Sequence, residues 1–146
     1  MISRPQTLRQ KVRGPNARPI ATLVTQGDRA AGRVQSQFGD FLPGRLNELR
    51  HAADSLLGHP GDAARRHAVV FIAQDLRSSS VTAGRPRLGA ILASLEDAAG
   101  KDVLDAEILR LHLDVVALVS NPGLPESDYR RLTADLARAV AHRDKA

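Results

Sequence analysis

The residues with the most distinctive chemistry lie in the stretch AQDLRSSSVTAG, Ala73 to Gly84, which brings an amide, a cation and three hydroxyl groups close together. Gln74 and Arg77 are three residues apart, so both fall on one side of a helix. The serines Ser78 to Ser80 lack the sharp turn, the neighbouring base and the oxyanion donors that a serine nucleophile requires. The stretch therefore predicts a binding surface, and we do not expect an enzyme.

Histidines are the other candidates for chemistry, as nucleophiles or metal ligands. His67 lies two helical turns before Gln74 and would share its face. The other four are dispersed and have no ligand spacing to a nearby acid or second histidine, so they are predicted to be surface or boundary imidazoles: His51, His59, His112 and His142. With no cysteine in the chain, we expect neither a metal nor a cofactor.

The net charge of +5 comes entirely from the first 20 residues, which carry five basic side chains and no acid. Prolines and glycine interrupt this segment, which predicts a poorly ordered basic arm over residues 1–20. The remaining chain is neutral and poor in aromatic residues, which argues against nucleic acid as the partner. No secretory signal or membrane-spanning apolar run is evident, so we expect no membrane association and a cytoplasmic protein.

Apolar residues recur at helical spacing from residue 21 to residue 146, which predicts an all-α domain, an antiparallel four-helix bundle with one additional flanking helix. Turn residues give the expected boundaries, listed in chain order: a helix over residues 28–57 that kinks or restarts before Pro43, one from the N-cap Asp62 to Gly84, one from Pro86 to Gly100, one from near Asp102 that includes Val103 and Leu104, and one capped by Ser127 or Asp128.

The second predicted helix has two faces. One is a core stripe of mainly apolar residues, Ala68, Val69, Ile72, Leu76, Ser79 and Ala83. The opposite face, predicted to be exposed and to bind a partner, contains His67, Val70, Gln74, Arg77, Ser78 and Val81, with Phe71 at its border. Small residues on an exposed helix face allow another backbone to approach closely.

This stretch resembles the active helix of the histidine phosphotransfer (HPt) family of bacterial two-component phosphorelays. That helix reads A-H-x-L-K-G, followed by small residues and a glycine, and a group of stand-alone members reads H-D-L-K-G-Q-G-x-T-F-G-Y-P. The matching positions here are Ala73, Asp75, Leu76, Ser79, Ser80, Thr82, Gly84, Pro86, Leu88 and Leu95. The resemblance implies an HPt-like bundle that docks on the receiver domain of a response regulator or on a histidine kinase.

The chain departs from the family at the reactive position, because Gln74 stands where the resemblance places the phosphorylated histidine. An amide nitrogen is not nucleophilic at neutral pH, since its lone pair is delocalised. Arg77 keeps the cation of the usual lysine, whereas Ser78 replaces the usual glycine and Ala83 a bulkier residue. These accompanying changes favour natural divergence over a single engineered substitution.

The resulting hypothesis is a degenerate HPt protein that binds receiver domains or kinase modules without carrying phosphate. Two alternatives stay open. The chain could still transfer phosphate through another histidine, His67, or it could be a helical interaction module with an unrelated partner, for instance one bound by the basic arm.

Overall fold

The computed structural model describes residues 20–145 of the 146-residue chain, with side chains from residue 29 onwards. Five helices follow one another in this range: α1 (Ile20–Gly58), α2 (Ala63–Thr82), α3 (Pro86–Gly100), α4 (Ala106–Val119) and α5 (Glu126–Lys145). Residues 20–145 contain no strand, and the all-α prediction is confirmed. The predicted basic arm lies outside the described residues, apart from residue 20, which begins α1.

The chain divides into two units, with the boundary between Gln37 and Phe38. The described part of the first unit, residues 20–37, belongs to α1 and is helical throughout. The second unit holds the remainder of α1 together with α2 to α5. Every contact of the candidate site lies within this second unit.

Leucines dominate the core of the second unit. Fully buried examples come from the first four helices, Leu49, Leu56, Leu76, Leu88, Leu92, Leu95 and Leu109. Each buried side chain of this size contributes roughly 1.5–3 kcal/mol, so the core can hold helices that are too short to be stable alone. From α5 only Leu136 is buried, so α5 is the least embedded of these helices.

Asp62 begins α2 as an N-cap, as predicted. Its carboxylate accepts hydrogen bonds from the backbone N–H groups of Ala64 and Arg65, at 2.9 and 3.2 Å. These bonds, with that from Arg65 the stronger influence, lower the pKa of Asp62. The cap satisfies donors that the first turn of a helix leaves unpaired.

Gly84 ends α2, also as predicted, and has a φ of 74°. The backbone N–H of Arg85 donates to the carbonyl of Ser80 at 2.7 Å, and that of Gly84 to the carbonyl of Val81 at 3.1 Å. This pair of bonds is the Schellman arrangement, in which a left-handed residue reverses the chain. Pro86 then starts α3 at a position where its missing N–H is not needed.

The predicted restart before Pro43 is wrong, because α1 continues through this proline. An internal proline costs about 3 kcal/mol in a helix. The buried side chains of Phe38 and Leu42 on one side and Leu49 on the other hold both halves in the same core. Their combined burial exceeds that cost.

Three helix starts also differ from the sequence expectation. Helix α1 begins at Ile20, eight residues before the predicted start at residue 28. Helix α4 begins at Ala106, because Asp105 is the N-cap and accepts from the N–H of Ile108 at 3.1 Å. Val103 therefore lies in the connection before α4, where it is 85% exposed. Helix α5 begins at Glu126, so the two residues expected to cap it, Ser127 and Asp128, lie inside its first turn.

The buried face of α2 is rotated slightly about the helix axis relative to the predicted core stripe. Ala73 and Ser80 are buried in addition to Val69, Leu76 and Ala83. Of the other predicted members, Ile72 is half-buried and packs against the core, Ser79 is half-buried, and Ala68 is exposed. Alanine and serine carry a weak hydrophobic signal, so the sequence pattern did not fix the helix rotation.

Candidate functional site

Five of the seven predicted partner-binding residues of α2 form one exposed line along the helix. We call His67, Phe71, Gln74, Ser78 and Val81 the α2 ridge; all five are exposed. Their alternating spacing of four and three residues keeps them on a single face of a helix. From Phe71 to Val81 the ridge spans about 15 Å at the usual rise per residue.

Two large apolar side chains stand out on the α2 ridge. Phe71 is 62% exposed and Val81 is 61% exposed, one on each side of Gln74. Singly exposed apolar residues are common in soluble proteins, and these two are distinguished by sharing one helix face. The exposure predicted for Gln74 is confirmed, and Phe71 lies within the exposed face and not only at its border.

Val70 and Arg77 were expected to be exposed on the same outward face, but both are half-buried. Val70 packs towards α3, where its Cγ2 would lie 3.9 Å from a Cβ placed on Gly100. Its apolar surface is therefore partly used inside the protein. Arg77 turns towards α3 as well, where it meets an acid.

That acid is Glu96 of α3, whose carboxylate accepts hydrogen bonds from both Gln74 and Arg77. The side-chain amide of Gln74 donates from Nε2 to one carboxylate oxygen at 2.8 Å. The guanidinium of Arg77 donates from Nε to the other oxygen at 3.0 Å. The Glu96 side chain is 19% exposed and that of Arg77 is 40% exposed, so this partly shielded network fixes the rotamers of Gln74 and Arg77.

A second ion pair lies on the other side of α2. Asp75 contacts the guanidinium of Arg45 in α1, and Glu48 contacts the same group. Arg45 also lies over the ring of Phe41, with its Cζ 5.8 Å from the ring centroid. The α2 ridge is thus bordered by charged pairs towards α1 and towards α3.

The three consecutive serines have different surroundings. Ser80 is fully buried and donates its hydroxyl to the carbonyl of Leu76 at 2.7 Å, within its own helix. Its Cβ lies 4.0 Å from a Cβ placed on Gly89, so the small residues Ser80 and Gly89 serve the close packing of α2 against α3. Only Ser78 is exposed on the ridge, and Ser79 is half-buried. The small side chain of Ser80, which the sequence placed on neither face of α2, thus serves packing within the protein.

Helices α2 and α3 run antiparallel, because their contacts pair opposite ends. Val81 near the end of α2 meets Gly89 near the start of α3, and Val70 near the start of α2 meets Gly100 at the end of α3. The Gln74–Glu96 bond lies between these contacts. The stretch around Gln74 is thus held on a two-helix platform.

One histidine was assigned to the wrong environment. His112 of α4 is fully buried, whereas His51, His59 and His142 are exposed as expected. Its Nδ1 lies 2.8 Å from the carbonyl oxygen of Ile108, and its Nε2 lies 2.7 Å from the hydroxyl of Ser94 in α3. Burial is the main cause that lowers the pKa of His112. Its position among the apolar residues of α4 was the signal in the sequence.

The α2 ridge presents hydrogen-bonding groups at Gln74 and Ser78 and an imidazole at His67. Gln74 can form hydrogen bonds but is not a nucleophile. His67 is exposed, but Val70 and Phe71 stand three and four residues after it, where the HPt resemblance requires a cation and a small residue. Within the described range, no group of three or more acids and histidines could hold a metal ion, and no helix is long and apolar enough to cross a membrane. No protein family, curated protein or solved structure matches this chain.

Proposed function

We propose that this chain is a pseudo-histidine-phosphotransfer protein, which binds receiver domains or histidine-kinase modules in two-component signalling without carrying phosphate. The observation that supports it is an exposed Gln74 at the centre of the α2 ridge, between the exposed side chains of Phe71 and Val81. The same proposal includes an HPt-like arrangement of α1 to α4 as an antiparallel bundle with α5 beside it, and a cytoplasmic location, where such partners act.

The surroundings of Gln74 are unsuited to a phosphoryl group. The Glu96 carboxylate lies within hydrogen-bond distance of the Gln74 amide, and like charges about 4 Å apart repel by roughly 4 kcal/mol near a protein surface. The cation that could compensate, Arg77, is already bonded to the same carboxylate. A phosphate on this position would therefore meet a negative charge whose counter-ion is engaged elsewhere.

The same surroundings suit a docked protein. Stable interfaces have an apolar centre with a polar rim, and here Phe71 and Val81 lie between two bordering ion pairs, Arg45–Asp75 and Arg77–Glu96. The α2 ridge, about 21 Å long from His67 to Val81, can supply the centre of such an interface. Receiver domains are the partner that the HPt resemblance implies, and we take them as the main candidate.

The test is a titration of purified receiver domains from the source organism against wild type and single variants. Phe71→Glu and Val81→Glu each place a charge that docking must desolvate, so each should weaken binding by roughly 2 kcal/mol or more, over tenfold in Kd. Leu118→Glu is the matched control, because Leu118 is 50% exposed on α4 and lies outside the ridge. All three variants should keep the helical circular-dichroism spectrum of wild type.

Removal of residues 1–14 distinguishes the basic arm from the ridge. The proposal predicts a small loss of affinity, since exposed charges are screened by salt. Unchanged affinity in both ridge variants together with a large loss on deletion would place binding on the arm and refute the proposal. Phosphate incorporation that disappears in His67→Ala would instead establish the phosphotransfer alternative.

A further inference from the structure

A cavity of about 700 Å³ lies on the α3–α4–α5 side of the second unit. Its walls come from the end of α3, the connection to α4, the start of α4 and the end of α5. The volume lies within the range of small-molecule sites, about 300–1,000 Å³. None of its lining residues belongs to α2, so this cavity is separate from the α2 ridge.

The hydrogen bonds at the cavity wall determine which atoms there are hydrogen-bond acceptors. The carbonyl of Ile108 can only accept, so the Nδ1 of His112 carries the hydrogen of the neutral ring. The Nε2 of His112 is then an acceptor, and the hydroxyl of Ser94 donates to it. Burial lowers the pKa of His112 and favours this neutral form. Because the one hydrogen of the Ser94 hydroxyl is used in this bond, Ser94 Oγ can only accept a hydrogen bond from a ligand.

The charged side chains of the cavity have an excess of acid, with four carboxylates and two cations among its lining residues. Arg143 contacts Glu107 and lies 3.6 Å from Asp105. Lys101 lies 2.9 Å from Asp144. Asp97 forms no ion pair with any described residue, and it lies one helical turn after Ser94 on the same side of α3.

We infer that this cavity binds a small organic cation, a primary ammonium with a compact apolar body. The ammonium would donate hydrogen bonds to Ser94 Oγ and to the carboxylate of Asp97, both of which can only accept. The apolar body would lie against Leu104, Ile108 and Val140. The excess of two negative charges over the cavity disfavours an anion of the same shape. This binding is independent of the proposed docking function of α2.

Phenethylamine, protonated at neutral pH, is the probe, and hydrocinnamate is the anion of matching shape. Binding to the full chain is followed by the amide NMR spectrum during titration of each compound. We expect phenethylamine to shift the resonances of residues around the cavity with saturation, and hydrocinnamate to leave them unchanged. Saturable binding of hydrocinnamate at equal or higher affinity, or no saturation by phenethylamine at millimolar concentration, overturns the inference.

Variants assign the contact. Asp97→Asn removes one charge-assisted hydrogen bond and should weaken phenethylamine binding about tenfold. Ser94→Ala should also weaken phenethylamine binding, because it removes the other acceptor. Asp114→Asn is the control, because Asp114 is an exposed acid of α4 outside the cavity. Equal losses in Asp97→Asn and Asp114→Asn would show a general charge effect and would contradict a site at Ser94 and Asp97.

Discussion

Replacement of His112 by phenylalanine should remove a specific part of the acid sensitivity of this protein. His112 is fully buried and its pKa is lowered, mainly because burial disfavours the charged ring. The nearby charge of Lys101 also lowers the pKa of His112. The charge of Asp97 raises it, but the pKa remains lowered overall. The unfolded chain, in which the ring titrates near its ordinary value of 6.5, therefore binds more protons than the folded chain below that pH.

The sign and size follow from this difference in bound protons. The free energy of unfolding is highest above about pH 6.5 and falls as the pH falls below it, by at most about 1.4 kcal/mol per pH unit for one proton. The phenylalanine ring would lose both hydrogen bonds of the imidazole, the one to the Ile108 carbonyl and the one from Ser94, whose hydroxyl can turn to a carbonyl of its own helix. The variant should thus lose about 1–3 kcal/mol at neutral pH.

The assay is urea unfolding of wild type and His112→Phe from about pH 8 to about pH 5. The difference in free energy of unfolding between the two proteins should be constant above about pH 7 and should shift in favour of the variant as the pH falls. Carboxylate titration affects both proteins equally and cancels in the comparison. A difference that stays constant over the whole range would refute a neutral, buried His112.

Three further experiments test the two-helix platform and its chemistry. Gly84→Ala should destabilise the fold by about 1–2 kcal/mol in urea unfolding, because φ at this position is positive. Gly89→Ala should stabilise the protein less than the same change at a helical glycine with open space around it, because the new Cβ would lie 3.0 Å from Cγ2 of Val81. In a protein that carries Val81→Ala, Gly89→Ala should have the full stabilising effect. Gln74→His should acquire little acid-labile phosphate from a phosphorylated receiver, and adding Glu96→Gln should raise it at least about tenfold by removing the nearby negative charge.

Gly44→Ala is the common control for the two glycine substitutions, because Gly44 lies within α1 with nothing within 4 Å of a new Cβ. It should stabilise the protein by about 0.5–1 kcal/mol. A Gly84→Ala protein as stable as wild type would argue against the left-handed helix end. Equal phosphate levels with and without the Glu96 change would show that this carboxylate does not hinder phosphorylation.

Local signals in the sequence were sufficient for the boundaries of α2 and α3. Asp62 as N-cap, Gly84 at a left-handed position and Pro86 in a first turn depend on the conformations of single residues, which their types reveal. Pro43 shows the limit of such local signals, because core contacts on both sides of it override its tendency to break a helix.

The candidate site could be predicted only in part. The exposure of Gln74 follows from helical periodicity, but its bond to Glu96 joins residues 22 positions apart. That bond depends on how α2 and α3 pack, which the close contact at Gly89 determines and no local pattern contains. His112 was misplaced for a related reason: the residue type predicts polar surroundings, whereas Ser94 and the carbonyl of Ile108 satisfy both ring nitrogens in the interior.

The central claim is that a receiver domain docks on the α2 ridge, and NMR mapping of the complex tests it most directly. The unlabelled receiver is added to the isotope-labelled chain, and shifts are followed for the methyl groups of Val81 and the side-chain amide of Gln74. We predict that the largest changes occur along the ridge, with His67, Phe71 and Ser78 also affected and the exposed Leu118 of α4 unaffected. Changes concentrated elsewhere, with the Gln74 and Val81 signals unmoved at saturation, would contradict the proposed function.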